Sequence, residues 1–404
     1  MYRHLGGLLV NITLISSRQT QPFISFLSVD LRLESRVHAR FLLDVVKKIL
    51  PHVCIALITL GCKQNSVGPT ILDPRTYSWS IDSLRLDATQ YPGTPYQILM
   101  ESFWGTATNL YTVGWSGSAG AMWNFDGQRW KNVKLGLFEG GQIPAAYNIL
   151  SIGGVTSDNV FAVGSRVVAD NDGASFVIHY DGKSWKEQST PAGNRLLSVW
   201  ANSGSDVWAC GLNGTLLHYD GLQWSRDSLG IVMPPQLRFI LGSVARASTG
   251  QMFMIGSASE SMPTGLLRWT YYFFRREAAR WTLIDTFARN QGERSGKWGG
   301  TKLVVLPSGT MYSIDYYGVF RWDGTAWIKV YDNIKNLYGV FGTKDNDLFV
   351  TGDHGLLVYY DGSTWFEYPP LVQGVIYAGG WADNKQCFVA GWINGIDTII
   401  LWGK

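Results

Sequence analysis

The feature that most constrains the fold of this 404-residue chain is a short motif that recurs along most of its length. An Asp-Gly pair at a fixed offset before a Trp occurs five times, in WNFDGQRW (123–130), IHYDGKSW (178–185), LHYDGLQW (217–224), FRWDGTAW (320–327) and VYYDGSTW (358–365). Gly adopts positive φ without strain and Asp tolerates it, as a tight hairpin turn requires. Each copy therefore predicts two antiparallel strands joined by a short turn, with a Trp at the start of the second strand.

A second motif is present in seven copies and reads LYTVG (110–114), VFAVG (160–164), VWACG (207–211), MFMIG (252–256), MYSID (311–315), LFVTG (348–352) and CFVAG (387–391). A turn-rich segment precedes each copy, and a further short apolar run precedes that segment. Each unit thus contains four short strands, and so small a sheet cannot bury both of its faces alone. Seven such units predict an all-β fold, a seven-bladed β-propeller of four-stranded antiparallel blades around a central channel.

The two ends of the repeat region predict how the ring closes. The last unit ends at IILWGK (399–404), which corresponds to a third strand and leaves that unit without its fourth. A lone fourth strand, TYSWSIDSL (76–84), stands before the first unit, with Trp79 in the position of the outer-strand Trp. We therefore predict that strand 76–84 pairs beside residues 398–402 and leaves no long sheet edge open. A β-sandwich explains the strand content but neither the seven copies nor the divided unit.

The distribution of charge argues against nucleic acid as a partner. The chain has a net charge of +3, but residues 1–61 contain seven Lys or Arg and three acidic residues, so the remainder is near −1. A near-neutral domain lacks the basic surface of a nucleic-acid binder.

The repeat extends over residues 75–404, which are predicted to form one propeller domain. We expect this domain to be a monomer.

Residues 45–61 have the pattern of a signal peptide. Lys47 and Lys48 precede an apolar run of about a dozen residues, which is too short to span a membrane. The segment TLGC (59–62) resembles the lipobox of bacterial lipoproteins, and this resemblance implies lipidation at Cys62, a tether at 62–74 and a membrane-anchored position in the bacterial envelope, periplasmic or at the outer membrane. Residues 1–44 are then a non-native upstream extension. The alternatives are a genuine N-terminal extension and an ordinary buried Cys62.

Loop length marks one face of the predicted propeller as the binding surface. Loops from the second to the third strand, and from the fourth strand to the next blade, emerge on the same face, and these are the long ones. Aromatic, acidic and basic side chains on this face suit stacking on a sugar or gripping a peptide. The candidates are Trp115, Arg166, Asp315, Tyr316, Tyr317, Asp353, His354 and Trp392. The alternative is that they are ordinary loop residues around the channel mouth.

Little in the sequence points to a cofactor or to catalysis. Asp170 and Asp172 in DNDG (170–173) have oxygen ligands of the kind that Ca²⁺ prefers, although a solvated turn also explains them, and no other cofactor is expected. The sequence has no GxSxG elbow, HExxH pair, Walker loop or Rossmann glycine set. Paired carboxylates from different blades leave no spacing in a sequence, so a carbohydrate-active enzyme of the glycoside hydrolase or lyase type stays the alternative function.

The blade motif resembles known propeller repeats. VFAVG followed by HYDGKSW is similar to kelch and Asp-box repeats, and more similar to the blades of propeller lipoproteins from Bacteroidetes and Chlorobi-type bacteria, in which such blades follow a lipobox. The resemblance covers residues 45–404. Some of those proteins carry glycosyltransferase-like names, but nothing in this sequence indicates a nucleotide-sugar site. The resemblance implies an envelope-anchored binding or scaffold propeller for a protein or a glycan.

Overall fold

The computed structural model describes residues 9–15, 26–32, 72–85, 98–116, 119–144, 146–167, 173–231, 237–294, 296–393 and 397–404. The chain divides into two compact units, Met1–Thr70 and Ile71–Lys404. In the first unit, β1 (Leu9–Ile15) and β2 (Phe26–Arg32) form an antiparallel hairpin. The predicted signal peptide and Cys62 lie outside the described residues.

The second unit is a seven-bladed β-propeller, which confirms the fold predicted from the repeat. The strands are β3 (Trp79–Leu84); in blade 1, β4 (Leu99–Thr106), β5 (Asn109–Ser116), β6 (Ala119–Phe125) and β7 (Trp130–Asn132); in blade 2, β8 (Tyr147–Thr156), β9 (Asn159–Arg166), β10 (Ala174–Tyr180) and β11 (Trp185–Glu187); in blade 3, β12 (Leu196–Ser203), β13 (Asp206–Gly211), β14 (Leu216–Tyr219) and β15 (Trp224–Arg226); in blade 4, β16 (Arg238–Arg246), β17 (Met252–Ser261), β18 (Leu267–Glu277) and β19 (Arg280–Asn290); in blade 5, β20 (Lys302–Val305), β21 (Met311–Asp315), β22 (Gly318–Trp322) and β23 (Trp327–Tyr331); in blade 6, β24 (Leu337–Lys344), β25 (Asp347–Gly352), β26 (Leu357–Tyr360) and β27 (Trp365–Glu367); and in blade 7, β28 (Val375–Ala382), β29 (Cys387–Ile393) and β30 (Asp397–Gly403). Short 3₁₀ helices occupy Pro74–Thr76 and Leu137–Glu139, and within the described residues no helix is long and apolar enough to cross a membrane.

The N-terminal strand of the second unit closes the ring, as the divided repeat predicts. β3 pairs antiparallel with β30, from Trp79 opposite Gly403 to Leu84 opposite Thr398. The Thr398 hydroxyl group then contacts the next blade, since its Oγ1 lies 2.7 Å from both the main-chain nitrogen and the main-chain oxygen of Ile98. Blade 7 is therefore made from both ends of the propeller sequence.

The Trp at the start of each fourth strand packs across the gap between blades. Each of the seven contacts an aromatic ring of the preceding blade, with ring centroids 4.4–6.3 Å apart. The pairs are Trp79–Tyr368, Trp130–Phe388, Trp185–Tyr111, Trp224–Phe161, Trp281–Trp208, Trp327–Phe273 and Trp365–Tyr331. Such ring pairs add stability beyond the apolar area they bury. The Trp that marks the repeat in the sequence is thus the element that joins neighbouring sheets.

Serine hydroxyl groups connect the first strands of successive blades. Their Oγ atoms accept main-chain N–H groups of the following blade: Ser102 from Ile152 at 3.3 Å, Ser151 from Val199 at 3.2 Å, and Ser198 from Val244 at 3.3 Å. Gly339 takes the equivalent position in blade 6, because a Cβ there would lie 2.7 Å from the Cα of Gly379 in blade 7. The main chains of blades 6 and 7 therefore approach closely at this level.

The Asp of each Asp-Gly pair stabilises its own turn. One carboxylate oxygen accepts two main-chain N–H groups at 2.7–3.0 Å, in a pattern shared by Asp126, Asp181, Asp220, Asp323 and Asp361. The following Gly has φ between 84° and 105° in all five turns. The motif therefore combines a backbone that only Gly adopts easily with a side chain that satisfies the turn donors.

Replacing Asp220 with Ala should lower the melting temperature at pH 7 by about 1–2 °C. The main-chain N–H groups of Gln223 and Leu222 hold the pKa of Asp220 below its ordinary value, because they bind the charged form. This stabilisation is present above the unfolded-state pKa near 4 and is lost as pH falls through the lower folded-state pKa. Thermal melts should therefore show a smaller gap between wild type and variant at pH 3 than at pH 7. An unchanged gap would contradict this account, and Asp332→Ala, at an exposed ion pair, serves as the control.

Candidate functional site

The first strand of each blade lies beside the central channel. First strands of most neighbouring blades pack against one another, whereas fourth strands lie at the periphery. In six blades the first strand has a β-bulge, which leaves one residue without a partner in the ladder. The unpaired residues are Glu101, Leu150, Leu197, Gly242, Tyr338 and Ala378. Blade 5 contributes Lys302, the first residue of β20. We call these seven residues the channel ring.

Two charged members of the channel ring meet across the channel. Lys302 Nζ donates a hydrogen bond to the main-chain oxygen of Glu101 at 3.0 Å. Blades 5 and 1 lie almost opposite each other in a ring of seven, so this bond spans the channel. Glu101 Oε1 in turn accepts the Trp115 Nε1–H at 3.2 Å. Trp115, predicted from the sequence to lie on the loop-rich face, is therefore connected to the channel.

Glu101 and Lys302 share an unusual environment. Glu101 is accessible to solvent, and Lys302 partly so, yet protein surrounds both groups because they face the channel interior. Burial raises the pKa of Glu101 and lowers the pKa of Lys302, since desolvation disfavours the charged form of each group. Interactions with charged ligands are stronger in such a place than on an open surface.

A continuous series of aromatic rings lies on the loop-rich face, next to the channel ring. Ring centroids are 6.4 Å apart between Tyr317 and Tyr316, 5.8 Å between Tyr316 and Tyr338, and 6.4 Å between Tyr338 and Trp392. These four residues, the aromatic row, extend from blade 5 across blade 6 to blade 7. Tyr316 is 45% exposed and the other three are partly buried. The aromatic row is therefore accessible to a ligand, while three of its four rings are partly packed against neighbouring protein.

Asp353 fixes the middle of the aromatic row. Its Oδ2 accepts a hydrogen bond from Asn336 Nδ2 at 2.7 Å, and its main-chain N–H donates to the Asn336 oxygen at 2.9 Å. Burial, followed by the neighbouring Asp353 carboxylate, raises the pKa of Tyr338 to about 12. His354 is exposed at the tip of the same turn, with a positive φ of 55°. Asp353 thus orients Tyr338, while His354 lies beside the row without a ring contact to it among the described residues.

Asp315 is buried in a contact between blades 4 and 5. Its Oδ2 accepts a hydrogen bond from Arg289 Nη1 at 2.9 Å, and the two side chains are only 3% and 7% exposed. Arg289 Nη2 also donates to the Tyr271 hydroxyl at 2.7 Å, and Asp315 Oδ1 accepts the Tyr317 N–H at 2.8 Å. Asp315 therefore positions the backbone at one end of the aromatic row and presents no carboxylate to solvent.

The exchange of Gly for Asp at position 315 has a structural cause. In blade 2 a Cβ on Gly164 would lie 1.9 Å from the carbonyl oxygen of Asn148 in the first strand, and in blade 3 a Cβ on Gly211 would lie 2.0 Å from that of Arg195, just before the first strand. In blade 5 the close approach involves the segment before β20, where a Cβ on Gly299 would lie 2.3 Å from the carbonyl carbon of Ile314. Because the glycine lies on the segment that leads into the first strand, the second strand accepts a side chain at position 315.

Other predicted site residues lie apart from the aromatic row. Arg166 of blade 2 binds the Glu187 carboxylate and the Pro144 carbonyl, and its guanidinium lies 5.0 Å from the centroid of the Phe176 ring. Asp170 and Asp172 lie outside the described residues. Within the part of the chain that the structure describes, no three His, Cys, Asp or Glu residues cluster closely enough to hold a metal ion.

The sequence analysis missed Glu101, Lys302, Tyr338 and Arg289. The first three lie in first strands, which look like buried strands in the sequence. Glu101 and Tyr338 lie at β-bulges, which have no motif of their own, and Lys302 begins β20 without a bulge. Alignment of the first strands on their common Ser or Gly, as in MES, ILS, LLS and LYG, places Glu101 and Tyr338 at the same position. This alignment is the sequence feature that indicates Glu101 and Tyr338 as equivalent positions.

The fold and the site together define a propeller whose channel mouth is lined with aromatic rings. A solved structure described as YCF48 bound to D1 peptide has a TM-score of 0.53 and 14% identity, and the match covers 82% of this chain and 97% of that chain. YCF48 from Cyanidioschyzon merolae gives a TM-score of 0.52 and 14% identity, with 80% and 98% covered. No family model and no curated protein matches this sequence. At this identity the likeness shows the propeller fold and nothing finer.

Proposed function

We propose that this protein is a binding propeller that holds an extended segment of a partner protein at its channel mouth, with the aromatic row as the main contact surface. The observation that carries the proposal is the continuity of four rings over three blades on the loop-rich face. Tyr and Trp provide a large contact area at a low cost in conformational entropy, which is why they are frequent at binding hot spots.

The aromatic row is also held in place before any ligand binds. Asp353 and Asn336, which are hydrogen-bonded to each other, hold the Tyr338 side chain in position. The Tyr317 ring contacts two guanidinium groups, Arg294 at 4.2 Å and Arg289 at 5.3 Å from its centroid. Preorganised contacts increase affinity because less freedom is lost on binding. The peptide complex of the structurally similar YCF48 supports the proposal to the extent that a propeller of this fold accommodates a peptide.

Selection of phage-displayed random peptides on the immobilised protein tests the proposal. We expect selected peptides to lose at least about tenfold in affinity when Tyr316 or Trp392 is replaced with Ala, as for a hot-spot aromatic residue. Leu222→Ala is the matched control, because Leu222 is 90% exposed at an Asp-Gly turn on the opposite face. Peptides whose affinity is unchanged by both row substitutions would contradict the proposal. Capture of glycans but not peptides, on an array, would favour a glycan ligand instead.

A carbohydrate-active enzyme gains no support from a specific contact. Such an enzyme needs two carboxylates placed about 5–10 Å apart around the scissile bond. Of the candidate carboxylates on the described loop-rich face, Asp315 is bound by Arg289 and Asp353 by Asn336. Both therefore have structural partners.

We further propose that the propeller is attached to a bacterial envelope membrane through a lipid on Cys62. The support is the TLGC segment after a short apolar run, together with the excess of basic residues in 1–61. Cys62→Ser should move the protein from the membrane fraction to the soluble fraction and remove the lipid mass from the N-terminal peptide. Cys54→Ser, within the same apolar run, is the control and should change neither. A membrane-bound Cys62→Ser variant without lipid would refute the proposal.

A further inference from the structure

We propose that the channel mouth contains a carboxylate-binding site centred on Lys302, which receives an acidic side chain of the bound segment. The inference rests on the proposed function, since it names the chemistry of the segment that the aromatic row holds. It adds a charged contact at the channel axis to the apolar contacts of the row.

Lys302 has unused capacity to bind an anion. Its ammonium group has three N–H donors, but within the described residues its one hydrogen-bond acceptor is the neutral main-chain oxygen of Glu101. No carboxylate of the described residues forms an ion pair within 4 Å of it: the Glu101 carboxylate attracts Lys302 electrostatically, but its hydrogen bond is with the Trp115 indole N–H. Charged groups enclosed by protein are normally paired. An incoming carboxylate would supply a direct ion pair, which Glu101 does not form.

The surroundings of Lys302 favour that partner. The other channel-ring residues besides Glu101 are uncharged: Leu150, Leu197, Gly242, Tyr338 and Ala378. Protein on all sides of the channel lowers the effective dielectric constant and so strengthens the attraction between an ammonium and a carboxylate. Burial already lowers the pKa of Lys302, and a bound carboxylate would reverse that effect by favouring the protonated amine.

Lys302 also belongs to blade 5, the blade that carries Tyr316 and Tyr317 of the aromatic row. Tyr338 belongs both to the row and to the channel ring, and it comes from blade 6, the neighbour of the blade that carries Lys302. Trp115, which binds Glu101, stands on the far side of the channel in blade 1. A segment bound between Tyr316 and Trp392 can therefore direct one side chain into the channel toward Lys302.

Two pools of random peptides test this inference, one with Glu and one with Gln fixed at the central position. We expect the protein to retain the Glu pool at least about tenfold more strongly than the Gln pool, and the preference to weaken as salt is raised. Lys302→Met should abolish the preference and Lys302→Arg should keep it. Lys335→Met is the matched control, since Lys335 lies in a loop of the same face and pairs with Glu367 at 2.9 Å.

The outcomes separate the two proposals. Equal retention of both pools, with retention still dependent on Tyr316, would overturn the role of Lys302 and leave the peptide-binding function intact. A Glu preference that survives Lys302→Met would also overturn it. Retention of neither pool would contradict the peptide-binding function itself. Circular dichroism melts of Lys302→Met identify loss of folding, and in that case Lys302→Gln, which keeps a polar group in the channel, is used for the same comparison.

Discussion

Deletion of residues 72–84 is expected to abolish cooperative folding of the propeller. Six residues of β3 complete blade 7, and the deletion removes the buried side chains of Tyr77 and Leu84 and the partly buried ring of Trp79. Burial at about 1.5–3 kcal/mol per large side chain, together with about 1 kcal/mol for each ladder hydrogen bond, amounts to roughly 10 kcal/mol. That is comparable with the whole stability of a typical domain.

Near-ultraviolet circular dichroism and size-exclusion chromatography measure this effect. A chain that begins at residue 72 is the control and should melt cooperatively, because 71–404 form a compact unit by themselves. A synthetic peptide of residues 72–84, added to the variant that lacks these residues, should restore a cooperative melt by pairing with β30. If the variant that lacks residues 72–84 had the same melting temperature as the control that begins at residue 72, ring closure would not depend on β3.

Replacement of Arg289 with Met is expected to lower the free energy of unfolding by about 3–5 kcal/mol, because it leaves the Asp315 carboxylate buried without its partner. Both side chains of this pair are almost completely buried, and the pair joins blade 4 to blade 5. The double variant Arg289→Met, Asp315→Asn should recover part of the loss, with a coupling energy of about 0.5–3 kcal/mol between the two positions.

Urea unfolding of the single and double variants provides the test. The exposed pair of Lys329 and Asp332 is the matched control, and Lys329→Met there should cost less than about 1 kcal/mol. A loss below about 1 kcal/mol for Arg289→Met would mean that water reaches the Asp315 carboxylate. Binding of selected peptides to Arg289→Met should also weaken, since Asp315 and Arg289 both contact Tyr317.

The fold could be predicted from the sequence because its determinants are local and repeated. Asp-Gly turns, the position of the outer-strand Trp and the missing fourth strand of the last unit give the number of blades and the closure, and the structure confirms both. Blade 5 contains a contact that the repeat pattern does not predict. The alignment identifies Asp315 as an exception to the Gly of the other blades, but its partner Arg289 lies in another blade, and nothing in the spacing indicates that contact.

The candidate site could be predicted only in part, for a similar reason. Repeat alignment places a residue on one face of the propeller but does not say which residues of other blades lie beside it. Tyr316, Tyr317 and Trp392 come together in the aromatic row, whereas Arg166 binds within blade 2 and its own loop. Tyr338, which connects the row, lies at a bulge, and a bulge depends on strand pairing that the sequence pattern does not specify.

The close approach of blades 6 and 7 has a consequence for recognition. In blades 1 to 3 serine side chains bridge to the next first strand, but in blade 6 a Cβ at Gly339 would meet the Cα of Gly379. Tyr338 directly precedes Gly339, and Trp392 pairs with Ile376 on the strand that contains Gly379. Backbone contact therefore sets the separation of the two blades that carry these rings, so the main chain itself limits how far apart the two aromatic anchors can stand.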